Sequence, residues 1–322
     1  MKQPVSQLFE VHLSCGGYAD STIDSKQRAV RFFIKTFGDM QLDDVTYSHA
    51  EDFQRVLRQG GRGAKTINLY VIHLNHFFEW AIKRQYLKAN PFFGLQQLKV
   101  EYKKQPMFSN DELIRLFNVA RLRWKVLICF GLLGLREGEA LNLVRTDLHF
   151  EDEYILVSPK KDSSQTWPWQ IKNQKQAYAP LPKIITLPDM VIPFHLLLNK
   201  LIESLPPGQP YVCVVPDYYA KQIRQKKEGS LRFRKKLCPW GNFDRDFKSL
   251  LKKAWIAPKS FHDLRRTFVD KLRKAGYDLK EVQTLMRHSS ISTTAKYYIN
   301  IEEQELVARV NKMFEHYVTN VP

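Results

Sequence analysis

A chain of 322 residues, 44% hydrophobic and 12% aromatic, is longer than one ordinary core needs and predicts two folded domains. Fifty Lys/Arg against 33 Asp/Glu leave a formal charge of +17, which favours a polyanionic partner, double-stranded DNA or another nucleic acid first among them. The apolar run Val126–Leu135 is ten residues, half of a membrane span, Met1-Lys2-Gln3-Pro4 opens no secretory hydrophobic stretch, and Cys15, Cys129, Cys213 and Cys238 lack paired spacing. These features speak against a membrane protein, a disulfide framework and a zinc ribbon, and lead us to expect a reducing, cytoplasmic setting.

The first hundred residues read as helices. Ser21-Thr22-Ile23-Asp24 resembles a capping start, after which Ile23, Val30, Phe33, Ile34 and Phe37 recur at helical spacing until Gly38-Asp39. Tyr47–Leu57 is a second helix, closed by Gln59-Gly60-Gly61-Arg62-Gly63, and Lys65–Lys83 a third, with Ile67, Val71, Leu74, Phe78, Ala81 and Ile82 on one stripe. Arg62, Lys65 and Asn68, near the start of that third helix, are candidate phosphate contacts. Asn90-Pro91 ends the pattern, and the polar, Lys-rich stretch up to Pro106 reads as a linker. The expected organisation is a helical domain over residues 1–95, a linker over 96–106 and a second domain over 107–322.

The second domain starts with a helix at Ser109-Asn110-Asp111-Glu112, acids in its first turn, as the helix dipole favours. Glu153–Ser158 alternates as a strand should, and Thr166–Lys172 with Gln176–Leu181 flanks the polar break Asn173-Gln174-Lys175, which predicts a hairpin. Pro206-Pro207-Gly208 marks a loop. From Lys221 to Lys253 the chain carries 12 Lys/Arg against 3 Asp/Glu, Arg232, Arg234, Lys235 and Lys236 among them. Phe233, Trp240, Phe243 and Phe247 are interleaved with this charge, which argues for a structured groove or phosphate contact. Helices return at Asp244–Ala254, Ser260–Ala275, Leu279–Arg287 and Thr293–Ile299, and Glu302–Tyr317 forms an amphipathic tail helix. The fold class is therefore mainly α with a small β-sheet.

Chemistry concentrates in three places. His262 and Arg265 are three apart and share one helix face, His288 and Tyr297 follow, and Arg136 sits far upstream in Gly134-Leu135-Arg136-Glu137-Gly138-Glu139. Cleaving a phosphodiester needs a nucleophile, charge neutralisation at the non-bridging oxygens, and a proton for the leaving oxygen. Guanidinium groups such as those of Arg136 and Arg265 match phosphate in a planar fork and stay charged. A free tyrosine is ionised in only about one molecule in a thousand at neutral pH, so Tyr297 needs a base or a positive field, and His262 is placed to relay its proton. No cofactor and no metal ion is called for by this set, and no Asp/Glu cluster at metal-ligand spacing stands out.

Leu133–Leu143 (LGLREGEALNL), Phe261–Phe268 (FHDLRRTF) and His288–Tyr297 (HSSISTTAKY) resemble, in this order, the three boxes of the tyrosine recombinase, or phage integrase, family. The resemblance implies a SAM-like core-binding domain followed by a mixed α/β catalytic domain. It implies that Arg136, His262, Arg265 and His288 are catalytic, that Glu139 supports them, and that Tyr297 is the nucleophile. The family's general-acid lysine lies eight residues before the proline ending the second hairpin strand; counting back from Pro180 gives Lys172, with Lys160, Lys161 and Lys175 as neighbours in or near the same hairpin. Tyr298 is a rival nucleophile. The resemblance further implies a 3′-phosphotyrosyl intermediate, no ATP, and a homo-tetramer on two DNA sites that is weakly associated or monomeric without DNA. Because the chain begins close to the core-binding helices, a simple member without an arm-binding domain is expected, similar to Xer, integron and mobile-element enzymes. Met286-Arg287 stands where the family commonly has Leu-Gly, so that turn is expected to differ in backbone shape. A type IB topoisomerase, a non-catalytic architectural DNA-binding protein and a metal-dependent nuclease are the competing readings.

Overall fold

The computed structural model describes residues 3–101, 106–171, 176–228, 240–288 and 290–295. These fall into two compact units, one ending within the described residues at 101 and the other starting at 106.

The first unit is helical: α1 (Val5–Cys15), α2 (Asp20–Phe37), α3 (Tyr47–Gln59) and α4 (Ala64–Lys83). In α2 the side chains of Ala29, Val30 and Phe33 are buried, and the helix stops at Gly38, whose φ of +83° suits glycine and whose N–H donates to Ile34 O. α3 starts after Thr46, tied to the His49 ring, and buries Ala50, Phe53 and Leu57. α4 buries Ile67, Val71, Leu74, Phe77, Phe78 and Ala81 along one stripe, as its three-and-four spacing requires. Phe33, Phe53, Phe78 and Phe92 meet edge-on, tilted or stacked with centroids 5.4 to 6.3 Å apart, within the core of this unit. α1 has no start signal in the sequence: it follows Pro4 with no side-chain cap. The expected cap at Ser21 is likewise replaced by an uncapped start at Asp20 after Ala19.

Beyond α4 the chain stays on this unit. Asn68 donates to Leu98 O (2.8 Å) and accepts from Leu98 N–H (2.9 Å), and Gln54 donates to Gln96 O (2.9 Å). Leu95 and Leu98 pack against the same core. Asn68 is only 7% exposed, so the expectation that it touches phosphate gives way to a structural role: its amide pins the start of the supposed linker.

The second unit holds α5 (Asn110–Val119), α6 (Leu122–Leu132), α7 (Glu137–Leu141), α8 (Phe194–Glu203), α9 (Pro216–Lys227), α10 (Phe243–Lys253), α11 (Phe261–Lys274), α12 (Leu279–Leu285) and α13 (Ile291–Ala295). Strands β1 (Leu148–His149), β2 (Tyr154–Val157) and β3 (Ala177–Pro180) form an antiparallel sheet in that order, and β4 (Ile185–Leu187) pairs with β5 (Met190–Ile192). The protein is thus mainly helical with small sheets. α5 starts where the sequence indicated, and Ser109 caps it by a reciprocal bond with Glu112. α6 is buried on all sides from Val126 to Leu132. α11 crosses it where a Cβ on Gly131 would lie 2.8 Å from Leu264.

The hairpin is rearranged relative to expectation. β3 pairs with β2, Ile155 opposite Ala179, while residues 166–171 join no ladder and make one bridge, Lys160 with Trp169. The cause lies in the side chains. Trp167 stacks on Tyr211 (4.0 Å, 10°), its indole donates to Asn142 (3.0 Å), and its backbone N–H donates to the Tyr211 hydroxyl (3.0 Å). Pro168, next in the chain, has no N–H to offer a ladder. Trp240, Phe243 and Phe247 also differ from expectation: they gather round Trp124 with centroids 5.0 to 5.6 Å away, with Phe243 and Phe247 buried, so the aromatics between the charges build core.

Candidate active site

Gly134 lies in the turn between α6 and α7 with φ +82°, and a Cβ there would lie 2.8 Å from the Phe268 ring. The turn therefore needs glycine, and it delivers Arg136 to the N-cap of α7. There the Glu139 carboxylate accepts from Arg136 N–H (2.9 Å) and pairs with its guanidinium. Glu139 is 3% exposed. Burial alone would raise its pKa, but the guanidiniums of Arg287, Arg136 and Arg265 more than reverse this and hold it down at about 2.

α11 supplies the second pair. Ser260 caps it: Asp263 accepts from Ser260 N–H (2.6 Å) and Ser260 Oγ (2.8 Å), and also pairs with Arg266. One turn in, Arg265 is fully buried and donates to the carbonyls of Gly134 and Met286. It thus joins the first box to the turn before His288. His262 lies in the first turn of the same helix and is exposed between buried Phe261 and Asp263. Packing round its ring, then Arg265, Arg266 and Arg136, lower its pKa to about 4, against a smaller opposing effect of Asp263.

The third element is the turn after α12. Arg287 has φ +53°, in the left-handed region that favours glycine, at the position where the resemblance places one. His288 is fixed by Gln283, which accepts from its N–H and donates to its carbonyl (both 3.1 Å). Its Nδ1 is 2.8 Å from the hydroxyl of Thr294, itself fully buried in α13. Partial burial, then Arg265, Arg136, His262 and Arg287, lower the His288 pKa to about 4, so both histidines are neutral at pH 7.

Arg136, Glu139, His262, Arg265 and His288 are therefore brought together from three separate segments, as the sequence indicated. Lys172, Tyr297 and Tyr298 lie outside the described residues, as do Lys175, Arg232, Arg234, Lys235, Lys236 and the tail Glu302–Tyr317. Of the other lysines near the hairpin, Lys160 is buried in an ion pair with Asp147 (2.9 Å), while Lys161 is exposed. In the first unit Arg62 and Lys65 are exposed, and Arg62 joins Arg58 and Lys99 in lining a notch of about 380 Å³. Two contributors escaped sequence reasoning. Thr294 carried no signal beyond its place in the third box, whereas Arg287 was visible as an arginine at a glycine position. Among the described residues no group of three or more His, Cys, Asp or Glu is placed to hold a metal ion, and no helix is long and apolar enough to cross a membrane.

Three guanidiniums and two neutral imidazoles around one buried carboxylate define a site of excess positive charge, suited to an anionic phosphodiester. Comparison with known proteins agrees. The phage integrase family profile matches residues 217–305, and the phage integrase SAM-like domain profile matches residues 10–100. A tyrosine recombinase XerC-like protein of Caldanaerobacter subterraneus is 26% identical over 302 residues, covering 85% of this chain and 73% of that protein. Among solved structures, the Tn1549 transposon integrase in complex with a circular intermediate DNA superposes with a TM-score of 0.71 at 20% identity, covering 95% of this chain and 98% of that one. A lambda integrase tetramer bound to a Holliday junction gives 0.69 at 17% identity, covering 92% and 77%. The chain belongs to the phage integrase family of tyrosine recombinases.

Proposed function

We propose that the chain is a site-specific DNA recombinase that cleaves and rejoins strands through Tyr297, without metal or ATP, in integration, excision or cassette exchange. The observation that carries this reading is the convergence of Arg136, Arg265, His262 and His288 on one positively charged site, with His288 opening the box that ends in Tyr297. In this account Tyr297 Oη attacks the scissile phosphorus and the bond to the 5′ oxygen breaks. A 3′-phosphotyrosyl link and a 5′-hydroxyl result. His262, neutral at pH 7, accepts the tyrosine proton, and Lys172 donates one to the departing 5′ oxygen. The guanidiniums of Arg136 and Arg265 offset the charge that builds on the non-bridging oxygens. Attack by another 5′-hydroxyl reverses the chemistry and conserves the bond energy in the covalent link.

The first unit serves as the core-binding clamp, with Arg62 and Lys65 as phosphate contacts beside Arg58 and Lys99. Arg232, Arg234, Lys235 and Lys236 are assigned to DNA as well. Four chains act on two DNA sites, with the tail Glu302–Tyr317 docking on a neighbour, in the cytoplasm. The test is recombination between two plasmid copies of the DNA that flanks the protein's own gene, run in EDTA without nucleotide. Joint molecules from the native chain, lost with Arg136→Ala, support the proposal. Relaxation of supercoils without exchange would favour a topoisomerase, and loss of activity in EDTA would favour a metal nuclease.

A further inference from the structure

Arg287 belongs to none of the roles above, yet it is the most connected side chain of the site. Its side chain is 8% exposed. It donates to Gly134 O (2.7 Å), Glu139 Oε2 (2.8 Å) and Leu285 O (3.1 Å), and approaches Tyr178 O in β3 at 3.5 Å. Its own carbonyl accepts from Arg136 Nη2 at 3.0 Å. One residue thus touches the turn that presents Arg136, the acid that holds Arg136, Arg136 itself, and the strand that follows the Lys172–Lys175 segment. Its backbone gives no reason for an arginine: at φ +53° glycine is the unstrained choice and any other residue carries a cost. Burying a guanidinium costs more still unless it is paired. What compensates both is the bond to Glu139.

We propose that Arg287 is a positioning residue for strand cleavage: it clamps Glu139 and the Gly134 carbonyl, and so holds Arg136 in the orientation the scissile phosphate requires. This rests on the recombinase reading. Glu139 divides its two oxygens between the two arginines, Oε1 to the Arg136 guanidinium and Oε2 to Arg287 and the Arg136 N–H. Removing Arg287 leaves a buried carboxylate with one cation fewer and frees the Gly134 carbonyl of one of its two arginine donors. The loss is transmitted to Arg136, which is 25% exposed and has most freedom to reorient. Arg287 is also the largest of the influences that lower the Glu139 pKa. Its removal therefore raises the pH at which that carboxylate protonates and Arg136 loses its partner.

The test compares the native chain with Arg287→Gly, which suits the backbone, and Arg287→Lys, which keeps the charge but not the fork. Three quantities are read on the full chain: the rate of covalent adduct formation on saturating nicked DNA against pH, DNA affinity, and the Glu139 carboxyl titration by carbon-13 NMR. For Arg287→Gly we expect near-native affinity, adduct formation slower by about tenfold or more, and an acid limb moved to higher pH together with the Glu139 midpoint. Arg287→Lys should recover part of the rate. A native rate and an unmoved acid limb in Arg287→Gly would overturn the proposal, and so would loss of thermal stability alone with normal cleavage well below the melting temperature. If the native chain forms no adduct, the recombinase reading fails, and the clamp is then decided by the carboxyl titration: an unchanged Glu139 midpoint in Arg287→Gly refutes it.

Discussion

His262 and His288 share a site with three guanidiniums, and the physical result is that neither ring is positively charged at pH 7. A neutral imidazole can accept the proton of a tyrosine; an imidazolium cannot. The unfolded chain binds these protons near pH 6.5 and the folded chain near 4, so the stability gained from neutral rings is complete above about pH 6.5 and is lost as the pH falls towards 4. NMR titration of the DNA-free protein should accordingly show both rings flat from roughly pH 8 to 5; an inflection near 6.5 at either ring would contradict the assigned electrostatics. Arg136, His262, Arg265 and His288 could be found in the sequence because their types and spacing are tied to one chemistry. Arg287 was noticed only as a misfit to the backbone. Its partner Glu139 lies 148 positions away, and nothing local in the chain announces that pairing. Asn68 misled for the opposite reason: a polar residue near a helix start looks solvent-facing until the chain that returns to cover it, at Leu98, is known.

At the level of elements, the turn from α6 into α7 decides whether the site forms. Gly134 needs a positive φ and tolerates no Cβ against Phe268, and its carbonyl takes donors from both Arg265 and Arg287. Gly134→Ala should cost about 2–3 kcal/mol in urea unfolding, from backbone strain and overpacking together, and should reduce cleavage along with stability. An unchanged unfolding midpoint would show that the turn has other ways to close. Helices with strong stripes or caps, α3, α4, α5 and α11, were legible because periodicity and capping are local properties. α1 was not, lacking a capping side chain, and α8 and α9 were hidden by loop signals at Pro206-Pro207 and by surface charge. The hairpin was misread for a tertiary reason: Tyr211 and Asn142 take the hydrogen-bonding groups of Trp167, a competition no strand pattern reveals.

For the molecule as a whole, the charge of +17 points to a polyanionic partner, while Trp240, Phe243 and Phe247, interleaved with its densest run, pack into or against the core. The net charge of +17 predicts that affinity for duplex DNA falls steeply with salt. With about six phosphate contacts, log K against log salt would have a slope near −5, about a thousandfold loss between 50 and 200 mM, whereas a slope close to zero would refute phosphate-dominated binding. The central claim, that Tyr297 carries the cleaved strand, is met most directly by covalent trapping on nicked DNA from around the protein's own gene. After cleavage the short 5′ end diffuses away and the adduct survives detergent. The account predicts an adduct with the native chain and with Tyr298→Phe, and none with Tyr297→Phe despite normal DNA binding. An adduct formed by Tyr297→Phe and abolished in Tyr298→Phe would contradict it.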